Sequence, residues 1–400
     1  MTRVNPAESA SAAEHRLLLA DSVTDFAKRG TDIGRVRRLR GAPAEYDRAV
    51  WTKMAELGWL GVLVPEQYGG LGLGLTEMAI VAKGLARTLA PEPLAAAAVL
   101  AASALVAGDN EALKREQLPR LAAGAMLPAL AWQEQPGVLD PAAVSCVATP
   151  FEGGYKLSGT KRYVAGSAQA DAFIVSARAG SDIVLLWVPR VTAGTQLELE
   201  TLADGRAFGA LSLEDVLVPK AHIVAGGKTA GAALALAFDH ANAIAAAELA
   251  GVLERALEMS LDYLKTRVQF GKPIGSFQAL QHRAVDLHIH KEVAGAVLDE
   301  SLAALDGHPD ARTRAAVASR VKARCAEAAL KVTRETIQLH GAIGFTDEFD
   351  AGLYLKRAMT LAAWLGSATW HRRRYASLTA GGKPEAGSRK AKGKLAGGVA

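Results

Sequence analysis

Apolar positions change their period twice along the chain. To about residue 125 they recur at helical spacing: Leu17, Leu18, Ala20, Val23 and Phe26 fall on one stripe, and Trp51, Met54, Leu57 and Leu60 on another. Pro65 and the glycines at 69, 70, 72 and 74 interrupt this pattern, and two further helical stretches follow near 75–90 and 93–107. From about 128 the period becomes that of strands. Short apolar runs (AVSCVAT, YKLSG, RYVAG, AFIVSAR, IVLLWV, GALSLEDVLV) alternate with Gly, Ser and Asp and have no helices between them. That texture predicts an antiparallel sheet or small barrel and argues against parallel βαβ units. From about 230 the helical period returns, in segments over 231–267, 276–306 and 312–340 and a final piece to about 376. The breaks are FGKPIG, GHPD at 307–310 and HGAIGF at 340–345.

The expected architecture is therefore α+β and multidomain. It has a helical region over 1–127, an antiparallel β-barrel over 128–230, and a four-helix bundle over 231–378. Residues 379–400 are rich in Gly, Ala and Lys and carry little to bury, so a disordered basic tail is expected there. Half of the 400 residues are hydrophobic, enough for a sizeable core. Two cysteines, Cys146 and Cys325, exclude a disulfide framework and fit a reducing, cytoplasmic setting. No uncharged apolar run reaches the roughly 20 residues of a membrane span, and the first residues lack the apolar centre of a signal peptide.

Most catalytic signatures fail on geometry. Gly227-Lys228-Thr229 resembles the end of a phosphate-binding loop, but His222 stands where the first glycine is required. The glycines near 70 make no GxGxxG and follow no strand. No HExxH, paired-cysteine or GxSxG pattern is present, so no metal site is expected.

Two segments carry chemistry. Arg267-Val268-Gln269-Phe270-Gly271-Lys272-Pro273-Ile274-Gly275-Ser276-Phe277-Gln278 joins two helices and offers a guanidinium, two amides and two aromatic rings. Arg267 suits bidentate phosphate contact, and Ser276 is placed to cap the following helix. Gln338-Leu339-His340-Gly341-Ala342-Ile343-Gly344-Phe345 ends a helix with glycines that permit close backbone approach to a ligand. Read bare, the first is equally an interhelical loop and the second a glycine C-cap.

Together these motifs resemble the acyl-CoA dehydrogenases. The resemblance covers residues 12–376 and is supported by PEQYGG at 65–70 and GTKRYV at 159–164. It implies FAD bound without a Rossmann fingerprint and oxidation of an acyl-CoA to the 2,3-enoyl-CoA. In that chemistry a carboxylate takes the α-proton, hydride goes from the β-carbon to flavin N5, and an electron-transfer flavoprotein accepts the electrons. By resemblance, Arg267, Gln269 and Phe270 match positions that reach FAD of a neighbouring subunit. Phe277 and Gln278 match positions near its adenosine. Gln338, Gly341 and Ala342 match the segment along the pyrophosphate. Trp132 and Gln133 match a stretch beside the flavin ring, and Tyr163 stands where a tryptophan is common. Ala165 replaces a usual hydroxyl residue. The region of Asp239 and Asn242 is the expected CoA-binding stretch, with His240 on that side.

The departure lies at the base. The resemblance places a glutamate before Gly366, and Leu365 occupies that position. Some members carry the base on the helix before the FAD loop, but the matching Ala241 and Asn242 cannot take a proton. Glu248 lies seven residues further on a similar face, roughly 10 Å along the helix. It is a candidate base, and Glu348 matches a structural glutamate. A missing base is most like the small subunit of pimeloyl-CoA dehydrogenase and the base-less subunits of heteromeric steroid-side-chain acyl-CoA dehydrogenases. The resemblance thus implies a homologous partner chain, in a heterotetramer, that supplies the base. Alternatives are a non-catalytic FAD-binding or structural paralogue, or a homomeric flavoenzyme (a dehydrogenase or a monooxygenase of the same fold) with a relocated base. The acyl group stays open among dicarboxylyl, fatty and steroid side chains.

Charge first points elsewhere. The net charge of +5 could mark a nucleic-acid or membrane-surface partner. The tail alone holds Lys383, Arg389, Lys390, Lys392 and Lys394 against Glu385, which leaves the body nearly neutral. No nucleic-acid or membrane partner is expected.

Overall fold

Asp47 starts the first well-capped helix, its carboxylate accepting the Ala49 amide at 2.9 Å. In the computed structural model, which describes residues 6–30, 33–40, 42 and 46–380, the N-terminal helices are α1 (Pro6–Gly30), α2 (Ile33–Leu39), α3 (Arg48–Glu56), α4 (Leu75–Ala86), α5 (Ala95–Val106) and α6 (Glu111–Ala122). The first seven residues of α5 are wound as a π-helix. Trp51, Met54 and Leu60 are buried as their stripe requires. Leu17 and Leu18 are not: they are 69% and 61% exposed, while Val23 is 1% exposed. Helix α1 lies mainly against α4 over this stretch, and a Cβ on Gly84 would stand 2.3 Å from Val23. The close helix approach runs through Val23 and leaves the two leucines on the outer flank.

The middle strands are β1 (Pro128–Ala131), β2 (Val147–Phe151), β3 (Gly154–Ala165), β4 (Ala172–Ala179), β5 (Asp182–Pro189), β6 (Thr195–Thr201), β7 (Ala207–Pro219) and β8 (Ile223–Gly226). They form one sheet in the order β6-β7-β3-β2-β4-β5-β8, with β1 added on β4. The expectation of a purely antiparallel barrel is corrected here. β1 pairs with β4 in parallel from Pro128↔Ala172 to Ala131↔Val175, and β2 meets β4 in parallel at Val147↔Arg178. The four-residue Pro-Ala-Leu-Ala run gives no alternation to read, because all of it is buried. The sheet is mixed, and YKLSG and RYVAG are one strand with a register shift against β7 between Lys161 and Val164.

The C-terminal helices are α7 (Gly227–Thr266), α8 (Gln278–Asp306), α9 (Ala311–His340), α10 (Ala351–Ala363) and α11 (Ala368–Thr379). The expected four-helix bundle is joined by α11, which packs along α9. Helix α7 is the axis of the molecule and touches α4, α5, α8, α9, α10 and β5. It is long and apolar enough to cross a membrane by length and composition, but 72% of its most apolar window is packed inside the protein. The disordered tail expected over 379–400 lies outside the described residues from 381 onward.

Candidate functional site

The Arg267–Gln278 segment is a small hairpin rather than a plain loop. β9 (Val268–Gln269) pairs antiparallel with β10 (Lys272–Pro273), and a short 3₁₀ turn at Ile274–Ser276 leads into α8. The Arg267 amide closes α7 on the Tyr263 carbonyl at 2.8 Å, and its own carbonyl accepts the Ile274 amide at 2.8 Å. Ser276 does not cap α8. Its hydroxyl turns back to the Pro273 carbonyl at 2.7 Å, and Phe277 takes the N-cap position without a side-chain bond. The 3₁₀ turn consumes the hydroxyl one residue too early. Phe270 sits at the hairpin tip with φ 53° and is 90% exposed. It meets the Phe277 ring edge-on at 6.1 Å, and Lys272 Nζ lies 4.4 Å from the Phe277 centroid. Arg267, Gln269 and Gln278 are exposed.

The second segment is brought beside the start of this hairpin by stacking. His340 lies 4.4 Å from Tyr263, in the last turn of α7, and 4.5 Å from Phe349. Its Nδ1 donates to the Thr336 carbonyl at 2.7 Å, while Nε2 is buried without a partner. Gln338, Gly341 and Ala342 are exposed. Gly341 has φ 61° and ψ −137°, and nothing lies within 4 Å of the place a Cβ would take. This backbone is bare, as an approaching pyrophosphate would need.

On the sheet, Trp132 is buried and Gln133 half-buried. Their segment is tied down by Lys161, a wholly buried lysine that lies 2.7 Å from Glu134, 3.0 Å from Ser176 and 3.4 Å from the Trp132 carbonyl. The Gln133 carbonyl accepts the Arg162 amide at 2.8 Å. Tyr163 is half-buried, with φ 56° at the β3–β7 register shift and the Arg162 guanidinium over its ring at 5.5 Å. The irregularity turns the ring out of the pleat.

Leu365 is 2% exposed, has φ 59°, and belongs to an apolar cluster with Trp132, Phe238, Ala241 and Leu234. Its segment is pinned by two side chains, Lys322 and His371. Lys322 Nζ donates to the Trp364 carbonyl at 2.7 Å and the Gly366 carbonyl at 3.1 Å. His371 Nε2 donates to the Leu365 carbonyl at 3.1 Å. Burial lowers the Lys322 ammonium to about 7. Burial, with Lys322 and Arg374 nearby, lowers His371 to about 2, so the ring is neutral. Gly366, at φ 117°, leaves no room for a side chain: a Cβ would meet Trp370 at 2.8 Å and His371 at 3.0 Å.

Asp239 and Asn242 are wholly buried. Asp239 is held by Arg314 at 3.0 Å and Arg374 at 2.9 Å, and burial pushes its carboxyl up against the pull of these two guanidiniums. The Arg374 guanidinium also lies 5.3 Å from Phe238 and 5.7 Å from Trp370, and Phe238 meets Trp132 edge-on at 5.5 Å. Asn242 donates to the Phe238 carbonyl at 3.0 Å, and its Oδ1 has no partner. His240 approaches Ser103 at 3.0 Å, and burial, then Arg314 and His308, lower it to about 4.

Glu248 lies apart from these groups, facing a cavity of about 30 Å³ lined also by Glu92, Ala165, Arg206 and Trp364. Burial pushes its carboxyl up, against the pull of Arg206 and Arg357. Around it, Asp204 accepts Arg206 and Arg357 at 2.8 Å each, and Arg35 pairs with Glu92. Glu348 is exposed on the surface. Sequence reasoning missed this cluster because Arg35, Glu92, Asp204 and Arg357 come from four separate parts of the chain.

Two family models match the chain: the N-terminal domain of acyl-CoA dehydrogenase over residues 13–125 and the C-terminal domain over residues 231–377. The chain is 31% identical over 357 residues to the acyl-CoA dehydrogenase IpdE2 of Mycobacterium tuberculosis, covering 88% of this chain and 94% of that protein. Among solved structures, a steroid acyl-CoA dehydrogenase variant described as Tcur3481-Tcur3483 G363A superposes with a TM-score of 0.82 at 30% identity, over 92% of this chain and 98% of that one. The ChsE4-ChsE5 complex from Mycobacterium tuberculosis gives 0.84 at 27% identity, over 92% and 98%. With an exposed hairpin, a bare glycine turn and these matches along most of its length, the chain belongs to the acyl-CoA dehydrogenase family.

Proposed function

We propose that this chain is one subunit of an FAD-dependent acyl-CoA dehydrogenase, and that a homologous chain supplies the base for α,β-dehydrogenation. The observation that carries the reading is Leu365: an aliphatic side chain, buried among aromatic rings, at the position the family resemblance assigns to the base. Leucine cannot take a proton, and the two residues matched on α7, Ala241 and Asn242, cannot either. A placed general base contributes about 10²–10⁴-fold to such a step. The mycobacterial and steroid relatives, one of them solved as a complex of two differently named chains, favour an unlike partner.

The exposed groups fit FAD. Arg267 would meet a phosphate or adenosine edge, Phe270 and Phe277 would cover a ring, and Gln338, Gly341 and Ala342 would lie along the pyrophosphate. Trp132, Gln133 and Tyr163 would line the flavin ring. When bound, FAD supplies the hydride acceptor. The protein's own part is to hold the Trp364–Gly366 backbone rigid through Lys322 and His371, and to exclude water with Trp132, Phe238 and Leu365. Electrons would leave to an electron-transfer flavoprotein. Asp239 and Asn242 would act by shaping the substrate side rather than by touching CoA, because both are enclosed.

A second reading has one observation in its favour. Glu248 faces the same cavity as Trp364 and Ala165 and has a raised pKa, as a relocated base would. Co-expression with a base-bearing homologue, followed by measurement of bound flavin and assembly mass, tests the first reading. It predicts a mixed tetramer richer in flavin than the chain alone. A fully flavinylated homotetramer that oxidises acyl-CoA, and loses that activity in Glu248→Gln, would establish the second.

A further inference from the structure

The outer face of α9 presents arginines that the proposed dehydrogenation does not use. Arg312, Arg320 and Arg324 follow one another at intervals of eight and four residues, so they line one stripe. Helix α11 closes the other wall with Arg372 and Tyr375. Between the helices lie two adjoining hollows of about 210 and 260 Å³, and Arg320 and Tyr375 line both. Two carboxylates reach these arginines. Glu327 pairs with Arg372, and Glu300 lies 3.2 Å from Arg320. Asp310 adds a third at the groove's end, where it accepts the Thr313 hydroxyl at 2.6 Å, so four guanidiniums against three carboxylates leave the groove cationic. The Nε of Arg320 and of Arg324 is buried without an acceptor. Tyr375 is 37% exposed and lines both hollows.

The chain's own continuation cannot neutralise this face. Arg312 donates to the carbonyls of Leu378 and, at 3.3 Å, of Ala380, so the last described residue lies beside the groove. The residues that follow bring five cationic side chains and one acidic one. Like charge disfavours that segment as the groove's occupant.

We infer that the α9–α11 groove binds a phosphorylated adenine nucleotide, its phosphates on the arginine stripe and its base on Tyr375. Guanidinium forks match phosphate oxygens bidentately, a tyrosine face takes a stacked base, and the joined hollows have the size of a small-ligand site. Two sources share this chemistry: a free nucleotide such as ADP, and the phosphoadenosine end of a CoA molecule.

Calorimetric titration of the flavin-loaded protein with ADP, inorganic phosphate and CoA tests the inference. ADP is expected to bind and phosphate to bind more weakly. Arg372→Gln, whose partner Glu327 is exposed, and the Arg320→Gln/Arg324→Gln pair each weaken ADP by about tenfold or more. Tyr375→Leu weakens ADP but not phosphate. Flavin content and melting temperature serve as folding controls, with Arg372→Gln kept if the double variant is unstable. CoA losing affinity in the same variants names CoA as a source, and CoA unaffected names the free nucleotide. No heat from ADP at millimolar concentration, or ADP binding unchanged in Arg372→Gln and Tyr375→Leu, overturns the inference.

Discussion

Lys322 Nζ lies 2.7 Å from the carbonyl oxygen of Trp364, the residue immediately before the leucine at the position the family resemblance assigns to a base. A wholly buried lysine spends its protons on two consecutive-turn carbonyls, and a neutral His371 holds the carbonyl between them. Three successive carbonyls, those of Trp364, Leu365 and Gly366, are thus held by buried side chains around an aliphatic residue. Lys322→Met leaves two buried acceptors unpaired, at about 1–3 kcal/mol each. Hydrogen exchange of amides 365–371 should speed up by about tenfold or more, and protection equal to wild type would show that the lysine is not the clamp.

Phe270 pays no folding role for its exposure. It is 90% exposed with φ 53°, a region where a side chain costs roughly 1–2 kcal/mol relative to glycine. Phe270→Gly is expected to leave thermal stability equal or slightly higher while lowering flavin content and mixed assembly. Unchanged flavin retention would remove the hairpin tip from the cofactor site.

Glu248 gives a prediction with a definite sign. Its carboxyl is raised by burial, so the folded state holds a proton that the unfolded chain releases. Stability contributed by that group is present at acid pH and falls as pH rises above the ordinary glutamate value toward the raised one. Glu248→Gln should therefore be more stable than wild type at pH 7–8, with the gap closing toward pH 4. In the two-chain assembly it should leave turnover unchanged. A variant that is less stable at pH 8 contradicts the reading of the cluster.

Acid should act through buried histidines, of which His340 is lowered too and His240 and His371 the most. His240 and His371 are lowered to about 4 and about 2, chiefly by burial, so both are neutral when folded. The unfolded chain takes up protons first as pH falls below about 6.5. Stability is thus intact at pH 8 and declines as pH falls from about 6.5 toward 4, by roughly 2 kcal/mol per histidine at pH 5. Urea midpoints across this range check it: His240→Gln should flatten the decline by about half, and an identical slope would contradict the assignment.

The three textures of the chain were legible because period two and period 3.6 do not mix in this sequence. The hairpin residues and the glycine turn were legible as motifs, and both are exposed on connected elements. What escaped the sequence depended on partners far apart in number. The parallel β1–β4 pair is a four-residue buried run with no alternation. The exposure of Leu17 and Leu18 depends on which flank of α1 meets Gly84. Arg314 and Arg374 are 75 and 135 residues from Asp239, so its enclosure left no local trace. Lys322 lies 42 and 44 residues from the two carbonyls it bonds, so nothing local marks it as a clamp.

The central claim is that this chain lacks its own base. Ferrocenium-linked oxidation of a panel of aliphatic, dicarboxylyl and steroid-side-chain acyl-CoA thioesters, run with the purified chain alone and with a base-bearing homologue, tests it most directly. The account predicts negligible turnover alone, turnover in the mixed assembly, and loss of that turnover when the homologue's base is replaced by its amide. Full turnover from this chain alone would contradict it.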